Sequence, residues 1–120
     1  MVVDPLTGNG KVDNVRTSYV AIIAPSYCDW ITRKLDKVIS QVTHTPRCNG
    51  EALNLLRYTP GQQYKPHYDA LNEDHDGSMY KDGKQRIKTA LVYLNTVRQG
   101  GETRFPKLDI SVSPTLGNMV

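Results

Sequence analysis

His67 and Asp69 are the pair whose types and spacing best suit chemistry in this chain. In an extended strand alternate side chains share a face, so one imidazole and one carboxylate would be aimed at the same spot. Neutral imidazole plus carboxylate makes two thirds of a 2-His-1-carboxylate facial triad, a ligand set that binds Fe(II) and leaves coordination positions open. Tyr58, Tyr64 and Tyr68 lie around the pair, and Pro60 with Gly61 marks a turn just upstream. A histidine and an aspartate alone do not specify a centre, so the surrounding elements decide.

Other candidate ligands offer less. His44 ends a helical pattern, where a cationic or polar cap is its ordinary role. His75 lies in a polar loop with Asn72, Asp74, Asp76 and Gly77, which imitate the early positions of an EF-hand calcium loop. The last position of that loop is Gly83 rather than Glu, and no helix pattern follows, so calcium is not expected. Cys28 and Cys48 form neither a CxxC nor a zinc spacing and are expected as free thiols.

A chain of 120 residues, 38% of them hydrophobic, is expected to form one domain spanning residues 1–120 with a modest core. The net charge is +3, and Lys and Arg are scattered rather than striped, so no nucleic-acid footprint is indicated. No apolar run approaches the roughly 18 residues that would span a membrane. The first residues carry neither a basic n-region nor an apolar h-region, so a soluble, cytoplasmic protein is expected.

The elements that must position His67 and Asp69 follow from periodicity. Residues 18–24 read as a strand closed by Pro25. Ser26 and Asp29 form a capping-box-like pair. Ile31, Leu35, Val38, Ile39 and Val42 then recur at helical spacing, predicting an amphipathic helix over 27–43 whose apolar stripe is core against a sheet. Residues 53–58 and 64–70 read as strands joined by the turn 59–62, followed by a polar loop at 72–85. The most apolar strand is predicted at 87–95, and shorter pieces at 110–113 and from 118 onward, with turns at Gly100–Gly101 and 114–117. A helix followed by several short strands suggests a helix packed on a sandwich or jelly roll.

Three segments carry a more specific pattern. The first runs Arg57, Tyr58, Gly61, Gln62, Tyr64, Pro66, His67, Tyr68, Asp69; the second Arg86, Thr89, Tyr93, Leu94, Asn95; the third Gly100, Gly101, Glu102, Thr103, Phe105, Pro106. Arg16 to Ser18 and Asn49 to Glu51 fit the same template. In this order and at these spacings the chain resembles the prolyl 4-hydroxylase family of Fe(II)- and 2-oxoglutarate-dependent dioxygenases, over about residues 4–120. The resemblance implies a mainly β fold with a packed N-terminal helix (α+β), a double-stranded β-helix or jelly roll. It implies hydroxylation of prolyl or similar residues in a peptide, using O2 and converting 2-oxoglutarate to succinate and CO2, with ascorbate as reductant. By position it makes His67 and Asp69 the metal ligands, and Tyr58, Thr103 and Tyr93 contacts of 2-oxoglutarate. Arg86, Tyr64 and Glu102 fall on the peptide-substrate side.

The family supplies a second ligating histidine and, about ten residues later, a Lys or Arg for the distal carboxylate of 2-oxoglutarate. Val120 stands before both, so the chain is expected to be C-terminally truncated, its last strands missing, with self-association through an exposed sheet edge as a consequence. The alternative is a catalytically inactive jelly-roll fragment or pseudoenzyme that binds peptide without turnover.

Overall fold

A computed structural model of the chain describes residues 2–3, 10–11, 16–70 and 85–120. The calcium-like positions 72–83, His75 among them, lie outside the described residues. The chain falls into two compact units, Met1–Lys65 and Pro66–Val120.

In the first unit β1 (Val2–Val3) pairs antiparallel with β2 (Gly10–Lys11), and β3 (Tyr19–Ile23) with β4 (Leu53–Arg57). The β3–β4 register runs from Tyr19 opposite Arg57 to Ile23 opposite Leu53. Strand alternation therefore sets Tyr19, Ala21 and Ile23 on one face with Leu53, Leu55 and Arg57. Beyond β4, the turn read at 59–62 forms: Gln62 N–H donates to Thr59 O at 3.0 Å, and Thr59 N–H to the Gln62 side chain at 2.8 Å. The chain then returns against residues 16–17. Thr17 N–H donates to Gln63 O at 3.1 Å and Gln63 N–H to Thr17 Oγ1 at 2.9 Å.

Helix α1 (Trp30–Thr43) begins later than its periodicity suggests, because Pro25–Tyr27 form a separate 3-10 turn. Asp29 is itself the N-cap, and the Ser26–Asp29 box does not form. The Asp29 backbone is extended, and its Oδ1 accepts from Thr32 N–H at 2.9 Å and from the Thr32 hydroxyl at 3.0 Å. That satisfies one of the donors a helix start leaves open. His44 closes the helix in the left-handed region (φ 51°), and Thr45 N–H reaches back to Ser40 O at 3.1 Å. Arg47 Nε, in the 3-10 turn Arg47–Asn49, pairs with Asp36 Oδ2 at 2.5 Å and ties that turn to the helix.

The apolar stripe of α1 is not core. Ile31, Val38 and Val42 remain 56%, 43% and 57% exposed, and no hydrophobic side chain is buried among the described residues. Helical periodicity says which face needs covering; it does not supply the cover. Both cysteines are free, Cys28 half-buried and Cys48 exposed. Among the described residues no helix is long and apolar enough to cross a membrane.

In the second unit β5 (Thr103–Phe105) pairs antiparallel with β6 (Ile110–Val112) around the turn at 106–109. The long strand read at 87–95 is cut down to its centre. Val92 bridges Met119, Leu91 and Val120 exchange both N–H···O bonds at 2.9 Å, and Tyr93 N–H donates to Asn118 O at 3.0 Å. Residues 64–70 likewise carry no strand; Tyr64, bridged to Arg16 in the first unit, is the one paired position there. Pro66 explains part of this, since it has no N–H to give a ladder. Gly101, at φ +76°, lets the turn after residue 97 pass close to buried Pro114: a Cβ there would sit 3.5 Å from the proline ring.

The fold of Asp29 around Thr32 holds its carboxyl below the ordinary aspartate range, chiefly through the Thr32 backbone N–H. A depressed carboxyl pKa adds stability that is present above the unfolded value and lost as pH falls through the folded one. Asp29→Ala is expected to lower the melting temperature at neutral pH. Asp29→Asn, an equally good cap, should keep most of it and lose the acid-dependent part. Circular dichroism melts between pH 7 and 3 check both.

Candidate functional site

The segment after Pro66 places the two sequence-predicted ligands face to face. His67 Nε2 lies 2.9 Å from Asp69 Oδ1, with side chains 31% and 44% exposed, so the pair is reachable from solvent. The Asp69 carboxyl is held below its ordinary range. The Thr89 side-chain hydrogen bond is the largest cause; partial burial opposes it, and the charges of His67 and Arg86 add to it. Asp69 is therefore a carboxylate acceptor well into mild acid.

This donor pair fits a divalent metal. An octahedral ion with bonds of about 2.1 Å sets adjacent donors about 3.0 Å apart, close to the 2.9 Å between Nε2 and Oδ1. Imidazole with carboxylate is also the set that suits Fe(II). Among the described residues no group of three or more His, Cys, Asp or Glu side chains gathers to hold a metal.

Tyr93 and Thr103, singled out for cosubstrate contact, are brought together. The Tyr93 hydroxyl donates to Thr103 Oγ1 at 2.6 Å and also stands 3.2 Å from Val112 O. Tyr93 is half-buried, and its backbone is fixed on both sides, by Asn118 O at 3.0 Å and by Gly117 N–H on its own carbonyl at 2.9 Å. The result is a paired hydroxyl set, suited to receiving an oxyanion, built across β5, β6 and the 91–93 segment. Glu102, next to Thr103, is engaged with Arg104 at 3.6 Å. Arg86 acts electrostatically on Asp69.

In the first unit Tyr58 follows β4 directly and is 43% exposed. Tyr64 stacks under the Arg16 guanidinium, 4.0 Å from ring centroid to Cζ. His44 stays a helix cap, as its position suggested. Sequence reasoning passed over Thr89 as a working residue. Its signal was available: Thr89 stands four positions before Tyr93, on the same face of an extended segment.

The sequence profile of the 2OG-Fe(II) oxygenase superfamily matches residues 53–120. The chain belongs to that superfamily. It is also similar to curated plant proteins. Against prolyl 4-hydroxylase 5 of Arabidopsis thaliana it is 43% identical over 105 residues, covering 88% of this chain and 35% of that protein. Against probable prolyl 4-hydroxylase 3 of the same plant the identity is 39% over 112 residues, covering 93% and 38%. Prolyl 4-hydroxylase 1 of Arabidopsis thaliana aligns at 37% over 135 residues, covering 99% of this chain and 46% of its own length. The chain thus spans less than half the length of these relatives. Superfamily membership implies a jelly-roll fold; the described residues themselves show one α-helix and three two-stranded antiparallel sheets.

Replacing Tyr93 by Phe removes the hydroxyl and leaves the ring. Thr103 and Val112 lose their shared partner, and the expected cost is about 1 kcal/mol of stability. Urea unfolding with an unchanged slope checks it.

Proposed function

We propose that this chain carries the metal- and cosubstrate-binding residues of an Fe(II)- and 2-oxoglutarate-dependent dioxygenase that hydroxylates prolyl, or similar, residues in peptides. The observation that carries the reading is the opposition of His67 Nε2 and Asp69 Oδ1 at 2.9 Å within a motif that lies inside the superfamily match. Names of relatives support the prolyl substrate class.

In this reading His67 and Asp69 hold Fe(II), and Thr89 fixes the carboxylate orientation from outside. Iron, when bound with 2-oxoglutarate and O2, supplies the oxidising chemistry: the cosubstrate goes to succinate and CO2 and one oxygen atom enters a substrate C–H bond. The chain's own work is to bind and to orient. Tyr93 and Thr103 offer hydroxyls to the distal carboxylate of 2-oxoglutarate, and Tyr58 contacts the same molecule. The Thr89 hydrogen bond that lowers the Asp69 pKa favours its carboxylate form, the form that ligates. Arg86, Tyr64 and Glu102 meet the peptide, and ascorbate is the reductant that restores iron oxidised in uncoupled cycles. The domain in this reading is a double-stranded β-helix over residues 1–120.

Succinate formation from 2-oxoglutarate, with Fe(II), ascorbate and a poly-proline peptide, tests the reading. Succinate formed by this chain and lost in His67→Ala establishes the oxygenase. Metal binding that depends on His67 but produces no succinate would make the chain a peptide-binding module instead. Absence of both sinks the proposal.

A further inference from the structure

The segment at 66–70 bears both proposed ligands yet has no strand ladder among the described residues. Side chains must therefore hold it. From Asp69 the hold runs to Thr89. Tyr68, the residue between the two ligands, is held by a different group. Lys107 Nζ donates to the Tyr68 hydroxyl and lies 4.9 Å from the centre of its ring.

Burial does not fix Tyr68, whose ring is 69% exposed. The Lys107 ammonium meets its polar edge, so the ring's position follows the lysine. Lys107 is itself well placed. It sits in the turn of the β5–β6 hairpin, where Leu108 N–H donates to Phe105 O at 3.0 Å and Asp109 takes φ 52°. The first strand of that hairpin opens on Thr103, the partner of the Tyr93 hydroxyl.

We infer that Lys107 is a positioning residue: through Tyr68 it ties the His67–Asp69 segment to the hairpin that carries Thr103, holding the metal donors and the cosubstrate hydroxyls at a fixed separation. The inference rests on the metal-centre reading above and goes beyond it by naming the device that couples its two subsites. An exposed lysine contact is weak by itself. Here it acts on a residue joined covalently to both ligands, so a small freedom gained at Tyr68 becomes a freedom of the donor pair.

Co(II) serves as the probe, titrated into the whole chain by its visible absorption, followed by 2-oxoglutarate titration of the Co(II) form. Lys107→Met keeps the aliphatic stem and removes the charge and the donor. It is expected to weaken both titrations about 3- to 10-fold, less than the roughly 10- to 100-fold typical of groups bonded directly to a ligand. The melting temperature should not move. Lys107→Arg should restore most of the affinity, because a guanidinium also carries the charge and donates. Tyr68→Phe combined with Lys107→Met should be no weaker than Lys107→Met alone, the mark of one shared interaction. Unchanged Co(II) and 2-oxoglutarate affinities in Lys107→Met overturn the inference and leave the metal centre standing. A melting temperature that falls in step with affinity also overturns it, since the role is then general stability. Failure of the unsubstituted chain to show Co(II) binding that His67→Ala removes overturns the metal-centre reading, and the inference with it.

Discussion

One side chain organises the second unit. Tyr93 is held by backbone bonds to Asn118 and Gly117, and its hydroxyl then reaches Thr103 and the carbonyl of Val112. Both strands of the β5–β6 hairpin are thereby referred to one phenol. Two-stranded sheets are marginal by themselves in water, so the hairpin depends on such cross-links. The hydroxyl cluster that results is polar, half-buried and preorganised, and a site that must receive a carboxylate requires those properties.

The His67–Asp69 side of the unit is built on a different principle. His67 and Asp69 stand on chain that has no ladder among the described residues, and they are held by their own contact, by the Thr89 side chain and Arg86 acting on Asp69, and by the grip of Lys107 on Tyr68. A ladder fixes backbone and lets side chains choose among rotamers. A side-chain network fixes the donor atoms and lets the backbone adapt. The second arrangement suits a pair of donor atoms that must stay 2.9 Å apart.

How much of this could be read from the residues depends on the range of the interaction. Helix α1 was legible because its signals are local: apolar spacing, an aspartate at the start, a histidine at the end. Its start was misplaced by three residues because Ser26 and Asp29 both suit a cap, and only geometry shows that Asp29 reaches Thr32. Strands β3 and β4 and the turn at 59–62 were legible for similar reasons. The strand read at 87–95 was overdrawn, since an apolar run reports a need for burial and says nothing of a partner's length. The pairing of Tyr93 with Thr103 was hinted at by the family pattern alone. Tyr68 and Lys107 are 39 positions apart, and a contact at that distance leaves no periodic trace in a single sequence.

The exposure of the apolar stripe on α1 reaches into temperature behaviour. Hydrophobic burial is the source of the large heat-capacity change on unfolding and of the weakening of folded proteins in the cold. No hydrophobic side chain among the described residues is fully buried, while Leu35, Ile39, Leu91 and Val92 are half-buried. That source is therefore reduced, and caps, turn bonds and hydroxyl bridges carry a larger share of the stability. The free-energy curve of these elements is correspondingly flatter than that of elements around a closed core. Covering Ile31, Val38 and Val42 would sharpen its curvature.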